Sequence, residues 1–225
     1  MNCALCHERK EKRFCPAVHG KICAQCCGEQ REVTLDCPSD CPYLLQARQQ
    51  AQGKGYADNG LDPQAMFPEV EISEQFLYEH EHLIVGLSFA LFKSARAERS
   101  LDGHALTDRD LLAALDSLAR SYQTLVQSNL IYEQPTANLA HQQIAREVEA
   151  MVKEFRETEQ KHVGYSKLRD SEVLRALVFL LRMGLARTSG RPKSRAYIDF
   201  LSAQFPESQS AIAAPETSGS RLIIP

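Results

Sequence analysis

All eight cysteines of this chain lie within the first 41 of its 225 residues. They come mostly in close pairs, Cys3/Cys6, Cys23/Cys26 and Cys37/Cys41, with Cys15 and Cys27 between. A thiol distribution this uneven assigns sulfur chemistry to a small N-terminal unit and leaves the rest to fold without it. Thiols at this density suit either a disulfide scaffold or a metal module, and the compartment decides between them. There is no basic start followed by an apolar stretch of signal-peptide length. No apolar run approaches the ~20 residues needed to cross a bilayer. The longest, 83–92, is interrupted by Gly86 and Ser88. The chain is therefore expected in a reducing cytoplasm, where paired thiols hold metal rather than each other.

The ligand candidates read Cys3-x2-Cys6, Cys15-x3-His19, Cys23-x2-Cys26 and Cys37-x3-Cys41. Pairs one and three share the Cys-x2-Cys spacing. Pairs two and four share a proline, Pro16 or Pro38, directly after the first ligand. Alternation of this kind predicts two interleaved sites, with pairs one and three on one ion and pairs two and four on the other. Short loops let two side chains converge on one ion, and four soft thiolates favour tetrahedral zinc. The ferredoxin cluster run is missing, which disfavours iron–sulfur. Cys27 and His19 compete for the eighth position. Spacing symmetry favours His19. Economy favours Cys27, because eight cysteines then fill two all-cysteine sites and leave no reactive thiol beside them. The predicted ligands are accordingly Cys3, Cys6, Cys15, Cys23, Cys26, Cys27, Cys37 and Cys41, with His7 a weaker outsider.

The full pattern, Cys3-x2-Cys6-x8-Cys15-x3-His19-x3-Cys23-x2-Cys26-x10-Cys37-x3-Cys41, resembles the cross-brace zinc modules of the RING, B-box and HIT-finger kind. The resemblance covers residues 1–45 only. Closed sets of four protein ligands leave no position for water or substrate, so two structural zinc ions are expected. A unit this small cannot stabilise itself by apolar burial, and bound metal would supply folding energy.

Charge divides along the chain. Residues 161–200 hold nine Lys/Arg against three Asp/Glu, whereas residues 47–160 hold ten against eighteen. The two parts could attract one another within the fold, or the basic part could meet a partner. The polar, Gly- and Pro-containing stretch 46–70 reads as a linker, with a short helix extending from the last ligand at about 43–51.

From residue 72 onward the apolar spacing is helical. Phe76, Leu83, Leu87 and Leu91 mark a first helix, and Leu111, Leu115, Leu118 and Tyr122 a second behind a capping-box-like start at Thr107. Ile144, Val148, Met151 and Phe155 mark a third. Leu174, Leu177, Val178 and Leu181 mark a fourth, capped by Asp170 or Ser171. Tyr197, Phe200 and Leu201 mark a fifth that ends at Pro206. The expected fold is mainly α: a small zinc-binding module at 1–45, a linker, a four- to five-helix bundle at 71–206, and a tail at 207–225 ending in the apolar tip Arg221–Pro225.

Two Glu-x-x-His pairs, Glu79/His82 and Glu159/His162, lack the further carboxylates of a di-metal bundle. No Walker loop, nucleophile elbow or His-Glu-x-x-His occurs, and no enzyme activity is expected. Gly190-Arg-Pro-Lys-Ser-Arg195 resembles the core of a minor-groove AT-hook, although an interhelical turn with exposed charge explains it as well. The expected role is protein interaction or scaffolding through a zinc-rigidified surface. The alternative is nucleic-acid binding or transcriptional regulation through Arg191, Lys193 and Arg195.

Overall fold

The computed structural model describes residues 2–54, 62–97, 105–128 and 138–206. The fold is mainly helical, with a cysteine-rich unit at the N-terminus. In that unit β1 (Arg13–Cys15) and β2 (Gly20–Ile22) form an antiparallel hairpin in the register Arg13↔Ile22 and Cys15↔Gly20. A single 3-10 turn, Pro16–Val18, joins them, and its proline supplies the fixed φ the turn needs. His19 closes the turn in the left-handed region at φ 48°. α1 (Ala24–Gln30) follows at once, with Cys23 as its N-cap. α2 (Pro42–Lys54) starts with proline at its first position, where the missing N–H costs nothing.

Among the residues predicted to stripe the helices, Leu83, Leu87, Leu91, Leu111, Leu115, Leu177 and Leu181 are almost fully buried in one core, as are Ile144, Val178 and Tyr197. α4 (Glu81–Ala97) packs against α6 (Leu139–Val163) and α8 (Ala196–Gln204), while α5 (Asp108–Ser128) packs against α6 and α7 (Asp170–Arg187). The stretch read as a linker carries more than polar chain. α2 runs to Lys54, a 3-10 turn spans Pro63–Ala65, and Phe67 and Val70 are buried in the helical core. Arg182 of α7 donates to the carbonyls of Met66, Phe67 and Val70, which holds that segment down. The apolar tip at 221–225 lies outside the described residues.

Two helix boundaries differ from the periodicity. The first helix divides at His80 into α3 (Glu74–Glu79) and α4. Ser73 caps α3 by accepting from the Phe76 N–H at 3.1 Å. The His80 ring lies 4.5 Å from the Phe76 ring, and its Nε2 lies 3.9 Å from Glu172, so the residue at the break is held from both sides. α7 begins one residue earlier than its acidic start suggests. Arg169 occupies the cap position, and its N–H donates to the Glu172 carboxylate at 2.8 Å. By contrast, the start of α5 follows its sequence signature: the Thr107 N–H and hydroxyl both donate to Asp110, at 2.9 and 2.7 Å.

The first residue of α5 caps a different helix. Asp108 is fully buried, and its Oδ1 accepts the N–H groups of Tyr197 and Ile198 at 3.1 Å each, the first turn of α8. Its Oδ2 accepts the Ser194 hydroxyl at 2.7 Å. Burial raises the Asp108 pKa, with these donors opposing the rise. Asparagine keeps an acceptor oxygen for the two α8 amides. Asp108→Asn is expected to change stability by less than about 1 kcal/mol in urea denaturation, whereas Asp108→Ala should cost about 2 kcal/mol or more by stranding two buried amides.

Candidate metal centre

Residues 2–10 fold into a knuckle that presents two thiols from one tight turn. The Cys3 N–H donates to the Arg9 carbonyl at 2.8 Å, and the His7 N–H to the Cys3 carbonyl at 2.9 Å. His7 takes a left-handed φ of 57° to close the turn, and the Asn2 side chain donates to its carbonyl. The knuckle is tied to the hairpin by the Ala4 N–H, which donates to the Lys21 carbonyl at 3.0 Å. On the other side, β2 delivers Cys23 to the N-cap of α1, which puts Cys26 in the first helical turn.

These elements bring Cys3, Cys6, Cys23 and Cys26 together, with all four sulfur atoms within 4.8 Å of one another. Among the described residues this is the one group of at least three metal-ligating side chains at such distances. Tetrahedral zinc with Zn–S bonds of ~2.3 Å needs sulfurs about 3.8 Å apart, a separation inside that limit. The sulfurs also receive hydrogen bonds that favour thiolate. The Cys23 N–H donates to Cys3 Sγ at 3.2 Å, the Cys26 N–H to Cys23 Sγ at 3.3 Å, and Arg9 Nη2 to Cys26 Sγ at 3.4 Å.

The thiols do not ionise alike. The N–H groups of Arg9 and Glu8 hold Cys6 down to a pKa of about 6. Burial disfavours the Cys3 thiolate, but the N–H groups of Cys6, Cys23 and Leu5 outweigh it and lower its pKa. Cys26 is pushed up to about 12, first by burial and then by the thiols beside it. Four sulfurs this close cannot all carry charge unaided, and a dication removes that conflict by displacing the remaining protons. Four soft donors in a closed set fit a structural zinc ion, with no position left for water. Of the eight predicted ligands, the four on pairs one and three therefore share one site capable of holding zinc.

The other four predicted ligands are placed differently. Cys15, Cys27 and Cys41 are buried and Cys37 is half-buried. Cys15 and Cys27 belong to the same apolar cluster as the first site, and Cys37 packs against it. Burial raises the Cys37 thiol, the Glu32 N–H opposes the rise by donating to it, and charge at Cys41 and Cys15 raises it further. Cys27 Sγ accepts from Arg13 Nη1 at 3.5 Å, and the same guanidinium stacks 4.6 Å from the centre of the Tyr43 ring. These sulfurs do not draw into a group as tight as the first. His19, the competitor of Cys27, is exposed, and so is His7.

The basic residues read as a nucleic-acid candidate are engaged within the chain. Arg191 Nη1 donates to the carbonyls of Gly28 and Arg31 at 2.9 and 2.6 Å. Lys193 Nζ donates to the Thr34 carbonyl and to Asp36 at 2.9 and 2.8 Å. Arg195 Nη1 donates to the Leu106 carbonyl at 2.6 Å. A phosphate would have to compete with these bonds. Arg187, a further basic residue at the end of α7, lies 3.5 Å over the Phe200 ring. The Glu-x-x-His pairs are also no site: Glu79, His82 and His162 are exposed, and Glu159 accepts from Ser166 and the N–H groups of Lys167 and Leu168.

A hub that the sequence did not signal lies between these parts. Glu32 is only 4% exposed. Its carboxylate accepts from Arg48 at 2.9 Å and from the Ser189 hydroxyl at 2.9 Å. Arg48 also reaches Asp199 at 2.6 Å, whose other oxygen accepts from Ser39 at 2.7 Å. No helix among the described residues is long and apolar enough to cross a membrane. Compared with protein-family models, with curated proteins and with solved structures, the chain matches none of them.

Proposed function

We propose that this chain is a cytoplasmic protein-interaction or scaffold protein whose N-terminal unit is held in shape by two structural zinc ions. The observation that carries the reading is the closed cluster of Cys3, Cys6, Cys23 and Cys26. A four-thiolate set saturates zinc, so the ion supplies folding energy and rigidity rather than a reactive water. The second ion is assigned to Cys15, Cys27, Cys37 and Cys41. Burial of Cys27 against exposure of His19 favours the cysteine as eighth ligand, because a closed zinc site excludes solvent.

A rigid surface with a saturated metal is a recognition device, and a protein partner is the occupant that fits it best. The reading is tested by elemental analysis of the purified chain together with affinity capture in the native host. Two zinc ions per chain and a discrete protein partner that survives nuclease treatment are the expected results. One zinc ion or none would remove the two-site assignment. Recovery of nucleic acid alone, with binding that collapses as salt rises, would replace the scaffold reading with the nucleic-acid one.

A further inference from the structure

The chain between Cys27 and Cys41 carries one predicted ligand, Cys37, and has little structure of its own. Three successive N–H groups, of Val33, Thr34 and Leu35, all point to the Gln30 carbonyl, and a single bridge pairs Arg31 with Leu35. Beyond bonds to its neighbours in the N-terminal unit, such as Arg31 to the Tyr43 carbonyl, this stretch is held by the helical part. Arg191 spans two of its carbonyls, and Lys193 grips it through the backbone as well, its N–H donating to the Glu32 carbonyl at 2.8 Å. Ser39, between Cys37 and Cys41, is tied to Asp199 of α8.

Glu32 is where these bonds converge. Its backbone adopts a left-handed φ of 53°, rare for a residue with a side chain. In that conformation its carbonyl accepts from the Lys193 N–H and its carboxylate accepts from Arg48 and Ser189, while the Lys193 ammonium holds Asp36, the residue before Cys37, at 2.8 Å. The α7–α8 loop meets the helix that carries Cys26 only at its far end, at Gly28 and Arg31. The bonds that shape the first cluster, from the Asn2 side chain to the Cys26 N–H, all run within residues 2–26.

We infer that the α7–α8 loop, through Arg191, Lys193 and the Glu32 backbone, is the positioning device that sets Cys37 for the second zinc ion, so that the helical bundle completes a site the cysteine-rich unit cannot build alone. The inference rests on the two-zinc reading proposed above. Outer partners that orient metal ligands are worth about 10–100-fold in metal affinity. Coupling of this kind is reciprocal: zinc at the second site must tighten the grip of the loop by the same factor that the loop tightens zinc.

The test is a cobalt(II) titration of the full-length chain, in which each four-thiolate site reports through its own visible absorption. Arg191→Ala/Lys193→Ala is expected to bind its first equivalent as the wild type does and its second about 10–100-fold more weakly. Ser189→Ala, which removes one bond to Glu32, should loosen the second equivalent by a smaller factor. A wild type that takes up only one equivalent would end the two-zinc reading and the inference with it. Two unchanged equivalents in the double variant would overturn the inference alone. Loss of both equivalents in either variant would overturn it as well, because the first cluster would then depend on the loop.

Discussion

Cys23→Ser is expected to strip zinc from the first cluster and unfold the unit built on it. Apparent binding energies for structural zinc in small modules are about 10–16 kcal/mol, more than residues 2–30 gain from burying a few apolar side chains. Serine is a deliberate choice. Cys23 belongs to the candidate metal centre and is also the N-cap of α1, accepting the Cys26 N–H. A serine hydroxyl caps a helix well, so the capping role survives and only the thiolate is lost. Elemental analysis should show one zinc ion fewer per chain, and residues 2–30 should lose protection from hydrogen exchange. The core of α4–α8, which contains none of these residues, should keep its protection. Full zinc content in Cys23→Ser would remove the cluster as a metal site.

The spacing of the cysteines made the first site legible because a Cys-x2-Cys loop can do little else with two thiols than point them at one place. The hairpin and the first turn of α1 then bring the pairs together. The helical stripes were legible for a similar reason: burial of Leu83, Leu87 and Leu91, or of Leu111 and Leu115, is a property of periodicity alone. What lay beyond the pattern was long-range and polar. Arg191 and Lys193 read as a basic patch because composition records charge and not which carbonyl a donor meets. Gly28 and Arg31 are more than 150 positions away in the chain. Glu32 gave no signal for the same reason, since its partners Arg48, Ser189 and Lys193 are brought to it only by the fold. The break at His80 and the Arg169 cap sit where side-chain contacts rather than propensity decide the boundary.

The largest effect expected in the helical core is at Tyr197. It is fully buried, its hydroxyl donates to the Leu180 carbonyl at 3.2 Å, and its own N–H is held by Asp108. Its ring occupies the space that Gly184 leaves open on α7. A Cβ at Gly184 would stand 2.8 Å from Tyr197 Cε1 and 2.6 Å from Leu112 Cδ2, closer than carbon atoms tolerate. Tyr197→Ala should therefore cost about 3–5 kcal/mol, from lost burial and the cavity beside Gly184. Tyr197→Phe should cost about 1 kcal/mol at most, because the ring still fills that space and the Leu180 carbonyl keeps its helical partner. Gly184→Ala alone should cost about 1–3 kcal/mol by overpacking. In the double variant the two ring contacts are gone and Leu112 alone still crowds the new methyl, so the two penalties should fall short of their sum by about 1 kcal/mol. Urea denaturation of the four zinc-saturated proteins measures each cost. Strict additivity would mean that α7 and α8 do not approach at Gly184 as closely as this packing requires.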